Sequence, residues 1–125
     1  MATAVVRMFW PNPVCARRAR SWARSTFDLW FCGAESDEFT LVVGEMVSNA
    51  LQHSEGMISL YLRREGCRVV VAVSDSGRGG AVSGESDING MYEIGLVVIG
   101  ALSEQWGVDE DPDYGNTVWA QLAVA

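Results

Sequence analysis

The order of hydrophobic and polar positions predicts eight elements. Ala4 to Trp10 is β-prone and stops at Pro11-Asn12-Pro13, which ends a strand and supplies a proline suited to a helix start. Over residues 14–31 a helical wheel puts Cys15, Ala19, Trp22, Ala23, Phe27 and Trp30 on one side. Arg17, Arg20 and Arg24 fall in a narrow arc opposite, so an amphipathic helix with an exposed arginine stripe is expected. A second helix is expected from Ser36-Asp37-Glu38, where a serine can cap and two acids suit the positive helix end, to about His53. Its core face is Phe39, Val42, Val43, Met46, Val47 and Ala50; beside that face runs a polar row, Glu45, Asn49 and His53, at successive i, i+4 steps.

Residues 57–64 and 67–75 alternate in period two around Glu65-Gly66 and predict a β-hairpin. From Ser76 to Ile94 the chain turns to Gly, Ser, Asp and Glu, too long for a tight turn and too polar for a core, which predicts a functional loop. Gly95 to Trp106 predicts a short apolar helix, and residues 107–110 and 117–124 the last strands. The order β, α, α, β, β, loop, α, β, β implies an α+β two-layer sandwich. Its sheet would have about five strands, mixed but mostly antiparallel, with three helices on one face.

Composition narrows the function. The 125 residues are 49% hydrophobic and 20% charged, enough for one core, so one domain over residues 1–125 is expected. Nine basic residues against sixteen acids give a net charge of -7, which disfavours nucleic acid or an anionic membrane as a partner. All nine basic residues are arginine, so a Schiff-base lysine, a Walker-type phosphate lysine and a lysine general base are excluded. The charge is unevenly spread: the first 27 residues hold five arginines and no acid, and residues 85–113 hold eight acids and no base. No segment has the ~20 apolar residues of a membrane span. Cys15, Cys32 and Cys67 show no CxxC spacing and read as reduced thiols of a core. With no signal-peptide pattern in Met1 to Val6, a cytoplasmic location is expected.

Four segments carry candidate chemistry. Glu45 and Asn49, one helical turn apart, bring a carboxylate and a carboxamide to one spot, a hard-ligand arrangement suited to Mg²⁺ beside an activated hydroxyl or water, although two residues at this spacing also fit a polar helix edge. Ser74-Asp75-Ser76-Gly77-Arg78-Gly79-Gly80 ends a strand on an acceptor-only carboxylate and runs into glycines that allow a ring to approach the backbone, or simply form a flexible turn. Gly95-Leu96-Val97-Val98 opens the predicted third helix with free amides, an anion site that needs no lysine. Gly115-Asn116-Thr117-Val118-Trp119 turns into the last strand, where Thr117 either offers a hydroxyl to the second segment or serves only strand propensity.

Taken in this order, the four segments resemble the GHKL ATP-binding superfamily, of Bergerat fold, which includes histidine-kinase catalytic domains and gyrase, and within it the small bacterial anti-sigma-factor serine/threonine kinases. Leu41 to His53 is similar to the family's N box, Asp75-Ser76-Gly77-Arg78-Gly79 to its G1 box, the Gly95 segment to its G2 box and Gly115 to Trp119 to its last strand motif; the likeness runs from about Val5 to Leu122. It implies Glu45 as general base, Asn49 as Mg²⁺ ligand and Asp75 as acceptor of the adenine amino group. Gly77 and Gly79 would shape the adenine pocket, Ser76 to Ile94 would form the ATP lid, the backbone of Gly95 and Leu96 would face phosphate, and Thr117 would lie near adenine. The implied activity is transfer of the γ-phosphoryl group of ATP to a serine or threonine of an anti-sigma-factor antagonist, with or without sequestration of a sigma factor. A homodimer is also compatible with the likeness. One departure favours an alternative: Glu93 stands where the family usually has a second glycine. Its Cβ and charge oppose phosphate approach and point to a non-catalytic or weakly nucleotide-binding protein module.

Overall fold

The alternating hairpin forms the centre of the sheet. In the computed structural model, which describes residues 3–53, 56–75, 91–111 and 115–124, β2 (Ile58–Glu65) and β3 (Arg68–Asp75) pair antiparallel with Leu60 opposite Val73 and Leu62 opposite Val71. β1 (Thr3–Phe9) adds to β2, and β5 (Gly115–Ala123) joins β3 to β4 (Gln105–Asp111), giving the order β1-β2-β3-β5-β4. Each of these pairings is antiparallel, so the expected admixture of parallel strands does not occur among the described residues. Gly115 takes φ of 102° where the chain enters β5, a left-handed conformation that a residue with a Cβ adopts only under strain.

The three helices are α1 (Cys15–Trp30), α2 (Asp37–His53) and α3 (Met91–Leu102). α1 lies over β2, α2 over β2 and β3, and α3 beside β4, with α2 between its two neighbours. They bury one face of the sheet: Ile58, Leu60 and Leu62, then Val69, Val71 and Val73, then Val118, Ala120 and Leu122. The six residues expected on the core face of α2 are all buried. No helix among the described residues is long and apolar enough to cross a membrane.

Three expectations are corrected. The third helix begins at Met91, not Gly95, and ends at Leu102, because the apolar run through Trp106 crosses a helix–strand junction at Ser103-Glu104 that hydrophobicity alone does not mark; Trp106 lies on β4 and pairs with Ala120 of β5. The arginine stripe is not a free face. Arg24 donates to the Ser36 hydroxyl at 2.9 Å and meets Asp37 at 3.2 Å, and a Cβ at Gly44 would come within 2.9 Å of Arg20 Cδ, so both arginines span the α1–α2 seam, while Arg17 is exposed. Of the three thiols only Cys15 is buried, where desolvation pushes its pKa up and keeps it protonated; Cys32 and Cys67 are exposed.

At the start of β4, Glu104 accepts from Arg68 Nε at 2.9 Å and from Gln121 Nε2 at 3.3 Å, and these bonds, the first more than the second, hold its carboxyl below the usual carboxylate range. An Arg68→Ala protein is expected to raise the Glu104 pKa, as read by an NMR titration of that side chain. Because the folded-state value is depressed, any stability from this contact is present above the ordinary carboxylate pKa and lost as pH falls through the folded value. Being exposed, the pair should leave the melting temperature nearly unchanged.

Candidate functional site

α2 carries its polar row to one end of the sheet. Near its start, Glu38 and Phe39 line a cleft of about 170 Å³ with Val69, Leu122 and Val124, at the opening of β3 and the close of β5. From Glu38 to Asn49 the helix climbs ~16 Å. From Val69 to Asp75 the strand advances ~20 Å. Helix and strand therefore bring Glu45 and Asn49 toward the end at which β3 finishes in Asp75, far from the cleft.

Both key polar residues are buried there. Asn49 is 5% exposed, and its Nδ2 has no hydrogen-bond partner among the described residues. A buried amide of this kind calls for a polar partner, since leaving it unpaired costs about 1–3 kcal/mol. Glu45, one turn earlier, is half-buried. Asp75 is 7% exposed because it takes the next inward position after Val69, Val71 and Val73 in a strand whose alternate residues face the helices. A carboxylate in that position interrupts an apolar row, an arrangement expected of a ligand site rather than of a core.

The last strand motif contributes a different residue from the one expected. Thr117 stands opposite Ser74, and their hydroxyls meet at 2.7 Å on the face turned away from the helices. Carried one residue further, the same register sets Asp75 opposite Asn116, which is 5% exposed and lies on the helix side with Val118 and Ala120. Thr117 thus supports Asp75 from behind through Ser74, and Asn116 is the polar group that shares its face. Counting inward positions back from Leu122 and Ala120 would have identified Asn116 in the sequence.

In α3, Gly95 and Leu96 sit in the second turn, where backbone amides bond within the helix; the free amides belong to the turn around Met91. The Leu96 side chain packs against the core. Gly77, Gly79, Arg78 and the proposed lid up to residue 90 lie outside the described residues, as does the side chain of His53. Among the described residues, no three His, Cys, Asp or Glu side chains gather to hold a metal ion. Asn49 alone would offer a divalent ion one hard oxygen ligand, its Oδ1.

A family model described as a histidine kinase-like ATPase domain matches residues 9–122. The comparison with curated proteins gave no match.

Proposed function

Because the chain belongs to the histidine kinase-like ATPase family of the GHKL group, whose domains bind ATP, we propose that it is a nucleotide-dependent regulator that binds Mg·ATP and passes the γ-phosphoryl group to a serine or threonine of a protein partner. The observation that carries this reading is the buried Asn49, whose Nδ2 has no partner among the described residues, one turn from Glu45 and at the same end of the sheet as the buried Asp75. Asp75 accepts the adenine amino group, and Asn116 lines that face beside it. By the family likeness Gly77 and Gly79 serve the adenine ring; the free amides at the start of α3, around Met91, serve the phosphates. Magnesium, when bound with the nucleotide, neutralises charge on the transferring phosphoryl group, and Asn49 is the side chain that would hold it. Glu45 takes the proton of the acceptor hydroxyl. The partner class is an anti-sigma-factor antagonist or a sigma factor, which places the protein in transcriptional regulation.

Calorimetry tests the first half of this reading. The parent protein is expected to bind ATP with Mg²⁺, and Asp75→Asn to bind at least about tenfold more weakly, since a charged acceptor is lost from a buried hydrogen bond. No heat of binding at millimolar ATP overturns it. That outcome would favour a second reading, a protein-binding module that works without nucleotide. Its support is Glu93, which stands at the third residue of α3, in the turn whose free amides would otherwise attract phosphate.

A further inference from the structure

The cleft at the start of α2 lies at the opposite end of the sheet from Asp75 and has no part in nucleotide binding. It holds about 170 Å³. Its floor is apolar and buried, formed by Phe27 and Phe39 at 2% exposure, Val69 at 0% and Leu122 at 4%. Its mouth carries Glu35 and Glu38, both exposed, beside the half-buried Val124. No base is among the described residues that line it. The cleft therefore combines an apolar floor with two charges of one sign.

Among the described residues, neither carboxylate forms an ion pair. Glu35 accepts the Asp37 amide through Oε1 at 2.8 Å, which commits one of its two oxygens. The bases of this end are engaged elsewhere: Arg24 with Ser36 and Asp37, Arg63 with Glu65, and Arg68 with Glu104. Arg64 lies 4.9 Å over the Phe31 ring, outside the lining. The dipole of α2 offsets part of the charge in its first turn, but Asp37 there is already paired, and Glu35 and Glu38 stay without a base. The aromatic cluster itself accepts a cation, since the ring under Arg64 packs on Phe27. The walls are held in place. At the close of β5 the Val124 amide donates to the Cys67 carbonyl at 2.7 Å, and Arg24 pins the start of α2. A cleft set in this way gives up little freedom when it is filled.

We infer that this cleft is a binding site for a small organic amine, a single aromatic ring joined by a short chain to an ammonium group. The site does not rest on nucleotide binding. Size sets the first limit: an apolar cavity of about 150 Å³ admits benzene, so the cleft takes one ring and a few chain atoms and no second ring. The ring covers the apolar floor and displaces water that the floor cannot hydrogen-bond. The ammonium sits at the mouth and donates to the carboxylates of Glu35 and Glu38, charge-assisted bonds that also relieve the repulsion between the two acids. Charge sets the second limit. An acid of the same shape is repelled by both glutamates, and so is the carboxylate of a free aromatic amino acid. The class selected is thus the amine that lacks a carboxylate.

NMR titration of the full chain without nucleotide tests the inference, with phenethylamine as the probe. Saturable shifts are expected at Val69, Leu122 and Val124 at millimolar amine. 2-Phenylethanol, which keeps the shape and loses the charge, should bind at least about tenfold more weakly, and 3-phenylpropionate should not bind. Replacing both acids, Glu35→Gln with Glu38→Gln, should weaken the amine at least about tenfold and bring it level with the alcohol. Val124→Trp, which fills the mouth and leaves α2 and both acids unchanged, should abolish the shifts. The absence of saturable shifts with the parent, equal binding of amine and alcohol, or parent affinity in either variant each overturns the site. Val124→Trp remains decisive if the double glutamine variant does not fold. Calorimetry with ATP decides the nucleotide reading separately, so failure of one is not failure of the other.

Discussion

A Glu45→Gln protein is expected to bind Mg·ATP as the parent does and to transfer its γ-phosphoryl group about 10²–10⁴-fold more slowly, the usual contribution of a positioned general base. Glutamine keeps the shape and the hydrogen-bonding oxygen of the side chain and removes only its capacity to take a proton. Position gives this substitution its leverage. Glu45 is half-buried on α2, one turn before the buried Asn49, so a group held near Asn49 is within reach of the Glu45 carboxylate without any movement of the helix. Asn49→Ala should behave differently, because it removes the proposed ligand of the Mg·nucleotide and so weakens binding first. The measurement is single-turnover transfer from labelled ATP, with water as acceptor where no serine-bearing partner is in hand, read beside the ATP dissociation constant. Transfer by Glu45→Gln at the parent rate removes Glu45 from the role of base. A loss of affinity with no loss of rate at saturation would make it a binding residue instead.

Much of this site was legible in the sequence, and the parts that were not have identifiable causes. The i, i+4 spacing of Glu45 and Asn49 beside a clean apolar face fixed their helix, and the valine alternation fixed the strand that Asp75 ends. Those signals are periodic, and the core they define is the one found. The start of α3 was missed because Gly95 reads as a helix opening; the helix tolerates an interior glycine at about 1 kcal/mol, with Leu96 packed on the core and Ile99 buried after it. Thr117 was named on residue type, whereas strand parity sets it on the face away from the helices and puts its neighbour Asn116 on the face of Asp75. The arginine stripe looked free because a helical wheel knows nothing of the next helix. Only contact with Gly44 and Ser36 turns Arg20 and Arg24 into seam residues.

The largest effect on stability is expected from Phe27→Ala, about 3–5 kcal/mol. Phe27 is fully enclosed, with its ring centroid 4.9 Å from that of Phe31 and 5.0 Å from that of Phe39, the latter stacked at an interplanar angle of 27°. The three rings tie α1 to the following turn and to the first turn of α2, so truncation removes buried area and two aromatic contacts together. The void cannot collapse cheaply, because the ring already borders the cleft shared with Val69 and Leu122, and the cavity would merge with it. Against a domain stability of about 5–15 kcal/mol this is a large fraction, and the midpoint of thermal unfolding should fall by about 10–20 °C. The Phe27 cluster and the Asn49–Asp75 end lie at opposite ends of the helix layer, so well below the new midpoint the variant should bind ATP with the parent affinity. Differential scanning calorimetry and ATP titration of the same sample separate the two. A midpoint shift of only a degree or two would mean that the rings contribute no more than ordinary surface. A folded variant that had lost ATP affinity would mean that α2 transmits the packing of its first turn to Asn49, three turns away.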